Sequence, residues 1–423
     1  MQTQFTKPSH DRPQVLLLTQ RVPFPPNRGD RIRAFHILKY LSDYSDISLG
    51  CVTNERVDDS QRRTLETYCR QIAISDLGPQ SRWMRAGINL VCGRSATEGF
   101  FYDHKLARTI DKWTSNLRFD AAIVYCSSMG TYRRFFRQRP DRVLVDLVDV
   151  DSQKWVDYSN NSSGFKRLLY RCEANRVRSL ERKLSRYADA ISVISDEEAA
   201  VFRQCHPGLK AHAISNGVDL EYYHPDALPL QQWQRIQVAS PQLVFVGVLD
   251  YLPNAQGLTW FCKSVLPLIR QEFPCVRLDI VGRRPTAQVE ALGKTEGVRL
   301  VGEVDDVRPY VLASNIVIAP LQIARGLQNK VLEGLACGRP VVASNYAATG
   351  IKTRSGLFVA DTPQAWLEHI RHLSNSEIHS TACTAARDGV ANLYSWNAQL
   401  APLVDLLDLT KPHFSVKNHA AVN

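Results

Sequence analysis

Ile316-Val-Ile-Ala-Pro320 runs into Leu321-Gln-Ile-Ala-Arg-Gly326 and then Leu327-Gln-Asn-Lys-Val-Leu-Glu-Gly-Leu-Ala-Cys337, and the pattern of this stretch points to an α/β architecture. The apolar run Ile316–Ala319 is short enough for a fully buried strand and ends at Pro320. A loop carrying Arg325 and Gly326 follows. A helix is expected to begin near Leu327–Lys330 and to reach Cys337, and Pro340–Ser344 reads as the next strand. Strand, loop, helix and strand make one βαβ unit, which implies a parallel sheet with right-handed crossovers.

The same alternation extends in both directions. Upstream, Leu243–Gly247 reads as a strand ending in glycine, Gln256–Phe273 as a helix, and Val276–Val281 and Val298–Val301 as strands. Before them lies a polar stretch with turn signals, Asn216-Gly-Val-Asp219 and Pro225–Pro241, which places a domain boundary near residues 215–240. The N-terminal half repeats the pattern. Val15–Leu18 is a short buried strand, and Gln20–Asp30 is a loop with three prolines. Ile32, Phe35, Leu38 and Leu41 then recur at helical spacing. Ile47–Thr53, Ala121–Tyr125, Val143–Val148 and Ala190–Ser195 read as further strands, and a helix is expected from Asp196. The chain is therefore read as α/β, with an N-terminal domain over 1–220, a second over 221–395, and a C-terminal helix and polar tail over 396–423. Two Rossmann-like parallel-sheet domains of this kind are expected to face each other across a cleft, and open α/β sheets take ligands at the C-terminal ends of their strands.

Composition narrows the function classes. The 423 residues are 44% hydrophobic and 22% charged, an ordinary globular balance. No run of about 18 uncharged apolar residues suggests a transmembrane helix. Val15–Leu18 is too short for a signal-peptide core, so a cytoplasmic location is expected. The ten cysteines show no C-x-x-C pair or zinc-like spacing. They read as reduced thiols, with no metal and no cofactor expected. Most of the net charge of +10 lies in the N-terminal half, where about 35 basic residues face about 27 acidic ones over 1–240. That excess suits an anionic partner or serves solubility alone. No nucleic-acid-binding module is recognisable, so no nucleic acid is expected.

Several residues sit where chemistry is expected. Gly326 would let backbone approach an anion closely, and the free N–H groups of the following helix start favour a phosphate. Arg325 and Lys330 would add charge-assisted hydrogen bonds. Glu333, one turn beyond Lys330, could accept ribose hydroxyl protons; alternatively the two form a local ion pair. Asn27-Arg28-Gly29-Asp30 enters the first helix from a strand end, as an acceptor or diphosphate loop or as a turn with an Asp N-cap. Asp149 and Asp151 follow a buried strand and could take a proton from an acceptor hydroxyl, or cap the next helix. Tyr132–Arg139 and Lys166–Arg186 mix cations with apolar residues, as a lipid-facing basic helix or as a solvated face. His36, His104 and His206 read as isolated packing or surface residues.

The stretch Pro320–Ala343 resembles the C-terminal signature of family-4 retaining glycosyltransferases, which have the two-domain GT-B fold. The resemblance continues through Asn216-Gly-Val-Asp-Leu-Glu-Tyr-Tyr-His-Pro225, Leu243-Val-Phe-Val-Gly-Val-Leu-Asp-Tyr-Leu-Pro-Asn254, Asp279-Ile-Val-Gly-Arg-Arg-Pro285, Val301-Gly-Glu-Val-Asp-Asp306 and Tyr394-Ser-Trp396. The N-terminal loop before Gly29 and Val145-Asp-Leu-Val-Asp-Val-Asp-Ser-Gln-Lys-Trp155 resemble a subgroup, the sugar transferases of exosortase-associated (PEP-CTERM) exopolysaccharide systems.

The resemblance implies a hexosyltransferase that moves sugar, with retention, from a nucleotide-diphosphate sugar to a glycan or lipid-linked acceptor. An anionic membrane surface would be a further partner, with the protein peripheral on the inner face of the membrane. It implies a donor site in the second domain, with Gly247 and Asn254 in its first loop. Lys330 and Gly326 would hold the diphosphate, and Glu303 and Val304 would lie near the base. Glu333 matches the second acid of the family's E-x7-E motif, whereas the first falls at Arg325. The family's Arg/Lys pair after its first donor strand is replaced by a loop with Asp250 and Asn254, and Arg283 or Arg284 could supply the missing charge. A nucleotide-sugar 2-epimerase and a non-catalytic nucleotide-sugar-binding scaffold share this fold and remain alternatives.

Overall fold

The computed structural model describes residues 12–26, 28–160, 162–234, 236, 241–323 and 327–409. The chain divides into two compact units, Met1–Asn216 with Leu400–Asn423, and Gly217–Gln399. The last helix, Trp396–Leu406, therefore begins in the second unit and ends in the first.

In the first unit seven strands form one sheet: β1 (Gln14–Thr19), β2 (Asp46–Thr53), β3 (Cys69–Asp76), β4 (Ala121–Tyr125), β5 (Arg142–Val148), β6 (Ala190–Val193) and β7 (His212–Ala213). Their order is β3-β2-β1-β4-β5-β6-β7, and every pairing is parallel. Helices cover a parallel sheet on both faces, so its strands are continuously apolar rather than alternating. Accordingly Val15, Leu16, Leu17 and Leu18 are all fully buried, each stabilising the fold by about 1.5–3 kcal/mol.

The second unit repeats the plan with β8 (Gln242–Val246), β9 (Arg277–Val281), β10 (Val298–Gly302), β11 (Ile316–Ala319), β12 (Val341–Ala343) and β13 (Leu357–Val359). Their order is β10-β9-β8-β11-β12-β13, again all parallel. In both sheets the winding reverses beside the first strand, so a crevice opens at the C-terminal ends of β1/β4 and of β8/β11. Phe245, Phe261, Ile318, Leu335 and Trp366 lie in the core that packs this second sheet.

Two expected elements differ in their limits. The helix expected over Gln256–Phe273 begins earlier, at Leu252, with Pro253 in its first turn. It continues as a π-helical turn at Phe261–Val265 before a further helix at Leu266–Glu272 with Pro267 in its first turn. Pro267 lacks an N–H and disrupts the regular i→i−4 ladder there. Asn254 therefore lies on a helix, not in the loop where the sequence reading put it. The helix after β11 begins at Asn329, behind an extended Gln328.

Candidate nucleotide-diphosphate site

The crevice between β8 and β11 gathers several of the expected residues. The β8 strand ends in Gly247, the next helix carries Asn254, and the helix Asn329–Ala336 after β11 carries Lys330. The Lys330 ammonium donates to Asn254 Oδ1 at 2.6 Å. It also sits 4.2 Å from the centroid of the Phe245 ring, within cation–π range. Asn254 is buried and is held in turn by donating Nδ2–H to the Val248 carbonyl at 2.8 Å. The sequence gives no hint of the Phe245 contact, because Phe245 reads as strand core.

Burial lowers the Lys330 ammonium from its usual 10.5 to about 7, and attraction from Glu333 offsets this only in part. Both direct neighbours, an amide oxygen and a ring face, are neutral. An ammonium held this way gains from any anion that reaches it.

Glu333 lies one turn along the same helix and is hydrogen-bonded to the Tyr223 hydroxyl. Burial, the largest influence, raises its carboxyl, while Tyr223 and Lys330 pull it down. The Tyr223 phenol is pushed well above its usual value by burial and by Glu333. Tyr223 is in turn fixed by Arg387, which donates to the carbonyls of Tyr223 at 2.6 Å, Ala336 at 2.7 Å and Leu220 at 2.8 Å. A cation on the last carbonyls of a helix satisfies groups that have no intrahelical partner.

Glycines shape the floor. A Cβ on Gly282 would stand 1.7 Å from the Gly247 carbonyl oxygen, so β9 and β8 leave their ends in backbone contact. A Cβ on Gly247 would press on Asn254 Nδ2 at 2.9 Å and on the Lys330 ammonium at 3.0 Å. Around this floor, Arg283 is exposed and its carbonyl accepts from Leu249 N–H. Arg284 pairs with Asp250 at 3.1 Å. Glu303 is exposed beyond β10, whereas Val304 packs on the core. The structure thus joins Gly247, Asn254, Lys330 and Glu333 and leaves Arg283 and Glu303 at the rim without a side-chain contact to them. Arg325 and Gly326 lie outside the described residues, as does Asn27.

In the first unit the ends of β4 and β5 carry unusual backbone: Cys126 has φ 69° and the β-branched Val148 has φ 66°. Such conformations persist only where surrounding structure enforces them. Here Cys126 N–H donates to the Asp146 carbonyl at 2.7 Å, and Val148 N–H donates to Asp146 Oδ1 at 3.0 Å. Asp146 is fully buried against Arg33, whose NH2 lies 2.7 Å from Oδ2, and Arg33 also donates to Asn216 Oδ1 at 3.1 Å. These turns present Ser127 to Asp151, with Ser127 Oγ donating to Oδ2 at 2.6 Å. Lys154 reaches Asp151 at 3.5 Å and Asp149 at 3.6 Å. Burial raises the Asp151 carboxyl despite Lys154 and Ser127. Neither Ser127 nor Lys154 stands out in the sequence by spacing.

Gly29–Ser42 is the first helix, with Arg28 at its N-cap position and Asp30 inside its first turn. Asp30 is therefore not the cap. It pairs with Arg21 at 2.7 Å, and its carbonyl accepts from Tyr125 OH at 3.0 Å, joining the ends of β1 and β4. Arg28 is exposed, 3.8 Å from Asp30. His206 is not isolated: it is fully buried, with Nε2 2.9 Å from Glu181. The segment Tyr132–Arg139 is not a basic helix. A 3-10 turn ends at Phe135, and beyond it Arg137 pairs with Asp111 and Arg139 with Asp189. Gly164–Tyr187 is a continuous helix of 24 residues, exposing Phe165 and Leu168 at its start. Among the described residues no helix is long and apolar enough to cross a membrane.

Two doubly wound parallel sheets give the chain the GT-B fold, and solved GT-B glycosyltransferase structures cover nearly all of it. Within the second unit, residues 240–376 match the model of the family described as glycosyl transferases group 1. An uncharacterised 44.6 kDa protein in the cps region of Klebsiella pneumoniae is 20% identical over 375 residues, 86% of this chain and 91% of that one. A phosphatidyl-myo-inositol mannosyltransferase of Propionibacterium freudenreichii is 33% identical over 177 residues, 41% of this chain and 42% of its own. Among solved structures, HepE of Anabaena in complex with UDP and glucose superposes with a TM-score of 0.59 at 13% identity, covering 93% of this chain and 100% of that one.

Proposed function

We propose that this chain transfers a hexose from a nucleotide-diphosphate sugar to a glycan or lipid-linked acceptor, with retention, in exopolysaccharide biosynthesis. The observation that carries the reading is Lys330. Its ammonium is held at the β8/β11 crevice by Asn254 and Phe245, and among the described residues no carboxylate is in hydrogen-bond contact with it. A diphosphate would supply the missing negative charge, and the amides opening the helix at Asn329 would add donors. Stabilising charge on the departing diphosphate is what such a site contributes to transfer. Glu333, beside Tyr223, would accept the ribose hydroxyls.

The group 1 match over this unit supports a sugar-nucleotide donor. UDP and glucose in HepE point the same way. The mannosyltransferase relative favours a lipid-linked acceptor and a hexose, and the cps-region relative favours a role in surface polysaccharide. Family-4 membership, the exosortase-associated subgroup and retention rest on the sequence resemblance. On the acceptor side we assign the proton-accepting role to Asp151, whose half-buried carboxyl is raised above its usual value, with Asp149 beside it. Gly29 and Asp30, with Asn27 and Arg28, would form the acceptor loop, and the exposed apolar start of the helix Gly164–Tyr187 would rest on anionic lipid.

The test is a thermal-shift screen of UDP, GDP and ADP and their sugars, followed by product analysis with lipid-linked acceptors. Stabilisation by one nucleoside diphosphate, and an α-configured product from an α-linked donor, are expected. Turnover of the nucleotide sugar without transfer would identify an epimerase, and binding without any turnover a scaffold.

A further inference from the structure

Within the first unit, away from the strand-end residues described above, lies a cavity of about 200 Å³. Three separate segments build it: Gly93, Arg94, Ser95 and Glu98; Arg133 and Arg134 at the end of the 3-10 turn; and Asn175, Arg176, Ser179, Leu180 and Lys183 on the helix Gly164–Tyr187. Five cations and one carboxylate thus face one small volume. Glu98 is committed to Arg134, at 3.3 Å. Among the described residues Arg94, Arg133, Arg176 and Lys183 form no ion pair with any carboxylate. Arg133 is anchored as the wall: it donates to the Gly130 carbonyl at 3.1 Å and lies 5.8 Å from the centre of the Tyr187 ring. Burial and the adjacent Arg134 both disfavour its charge. The other buried carboxylate nearby, Glu173, is already engaged: it accepts from Ser95 Oγ and from the N–H groups of Ala96 and Thr97.

Arg176 also donates to the Arg94 carbonyl at 3.3 Å, and like charges gathered in one concavity repel one another. An anion of matching size removes the repulsion and satisfies several guanidinium and ammonium donors together. The volume lies below the ~300–1,000 Å³ of pockets for drug-sized ligands, which argues for a compact group rather than a whole nucleotide. Ser179 and Asn175 add neutral donors.

We propose that this cavity is a binding site for a phosphate or diphosphate group, separate from the nucleotide site of the second unit. The group could belong to a soluble anion or to a lipid. The helix Pro79–Val91, which leads directly into Gly93–Ser95, exposes Trp83, Met84, Ile88 and Val91, so the lipid source is tested explicitly. The inference does not depend on the donor reading.

Inorganic pyrophosphate is titrated into the full chain carrying Lys330→Met, which silences the other cationic site, and into the same protein with Arg94→Ser and Lys183→Ser added. Both added changes fall on side chains without an ion pair, so the melting temperature should hold. In parallel, flotation with phosphatidylcholine vesicles, with and without phosphatidylglycerol, is compared for the two proteins. At least a tenfold loss of pyrophosphate affinity in the triple variant supports the site with a soluble ligand. Loss confined to binding of phosphatidylglycerol vesicles supports the site with a lipid ligand. No binding of either probe to the Lys330→Met protein, or equal binding by both proteins, overturns the proposal.

Discussion

The depressed ammonium of Lys330 makes a quantitative prediction about proton uptake. In the free protein it titrates near pH 7. A bound diphosphate favours the charged form, and if it lifts the value to about 9, the site takes up about 0.8 proton at pH 8. Affinity for the nucleoside diphosphate should then fall by about fivefold per pH unit between pH 7 and 9, or about 1 kcal/mol each. Isothermal titration calorimetry at pH 8 in Tris and in HEPES, whose ionisation enthalpies differ, reads the proton number directly. Lys330→Met should abolish both the uptake and the pH dependence above pH 7. Zero uptake at pH 8, with affinity constant from pH 7 to 9, would refute the assignment of diphosphate to this lysine. The same group has a folding signature. Between about 7 and the unfolded value of 10.5, the unfolded chain binds this proton and the folded chain does not. Stability from this residue therefore rises with pH across that window, and below pH 7 the full penalty of a buried ammonium remains.

Tyr223→Phe deprives the Glu333 carboxylate of its donor and should cost about 1–3 kcal/mol in urea denaturation at pH 7. That loss should shrink as pH falls, because protonating Glu333 removes the charge. Gly282→Ala drives a Cβ into the Gly247 carbonyl and should lower stability by about 3 kcal/mol or more together with nucleotide affinity. Gly87→Ala, in an exposed helix with nothing near its Cβ, should instead stabilise by about 0.5–1 kcal/mol in the same assay. Arg33→Met strands Asp146 as a buried charge, for a loss of about 3–5 kcal/mol, and adding Asp146→Leu should restore much of it. Asp151→Asn should leave nucleotide binding unchanged and cut transfer at least a hundredfold; retained transfer removes Asp151 from the chemistry.

Local residue order determined much of this protein. Ile316–Ala319 and Val15–Leu18 read as short buried strands, and their alternation with amphipathic segments implied two parallel sheets. Those patterns are legible because burial acts on neighbours a few residues apart. Lys330 and Glu333 were visible too, since one helical turn separates them. Their partners were not. Asn254 reaches Lys330 across 76 residues of chain, and Arg33 reaches Asp146 across 113. Phe245 reads as ordinary core, and Tyr223 as part of a linker. The reversal of strand order beside β8, which brings β11 next to it, creates these meetings. A titration near 7 belongs to no lysine by composition: it arises only when folding removes water from the ammonium and leaves an amide, an aromatic ring and one nearby carboxylate in its place.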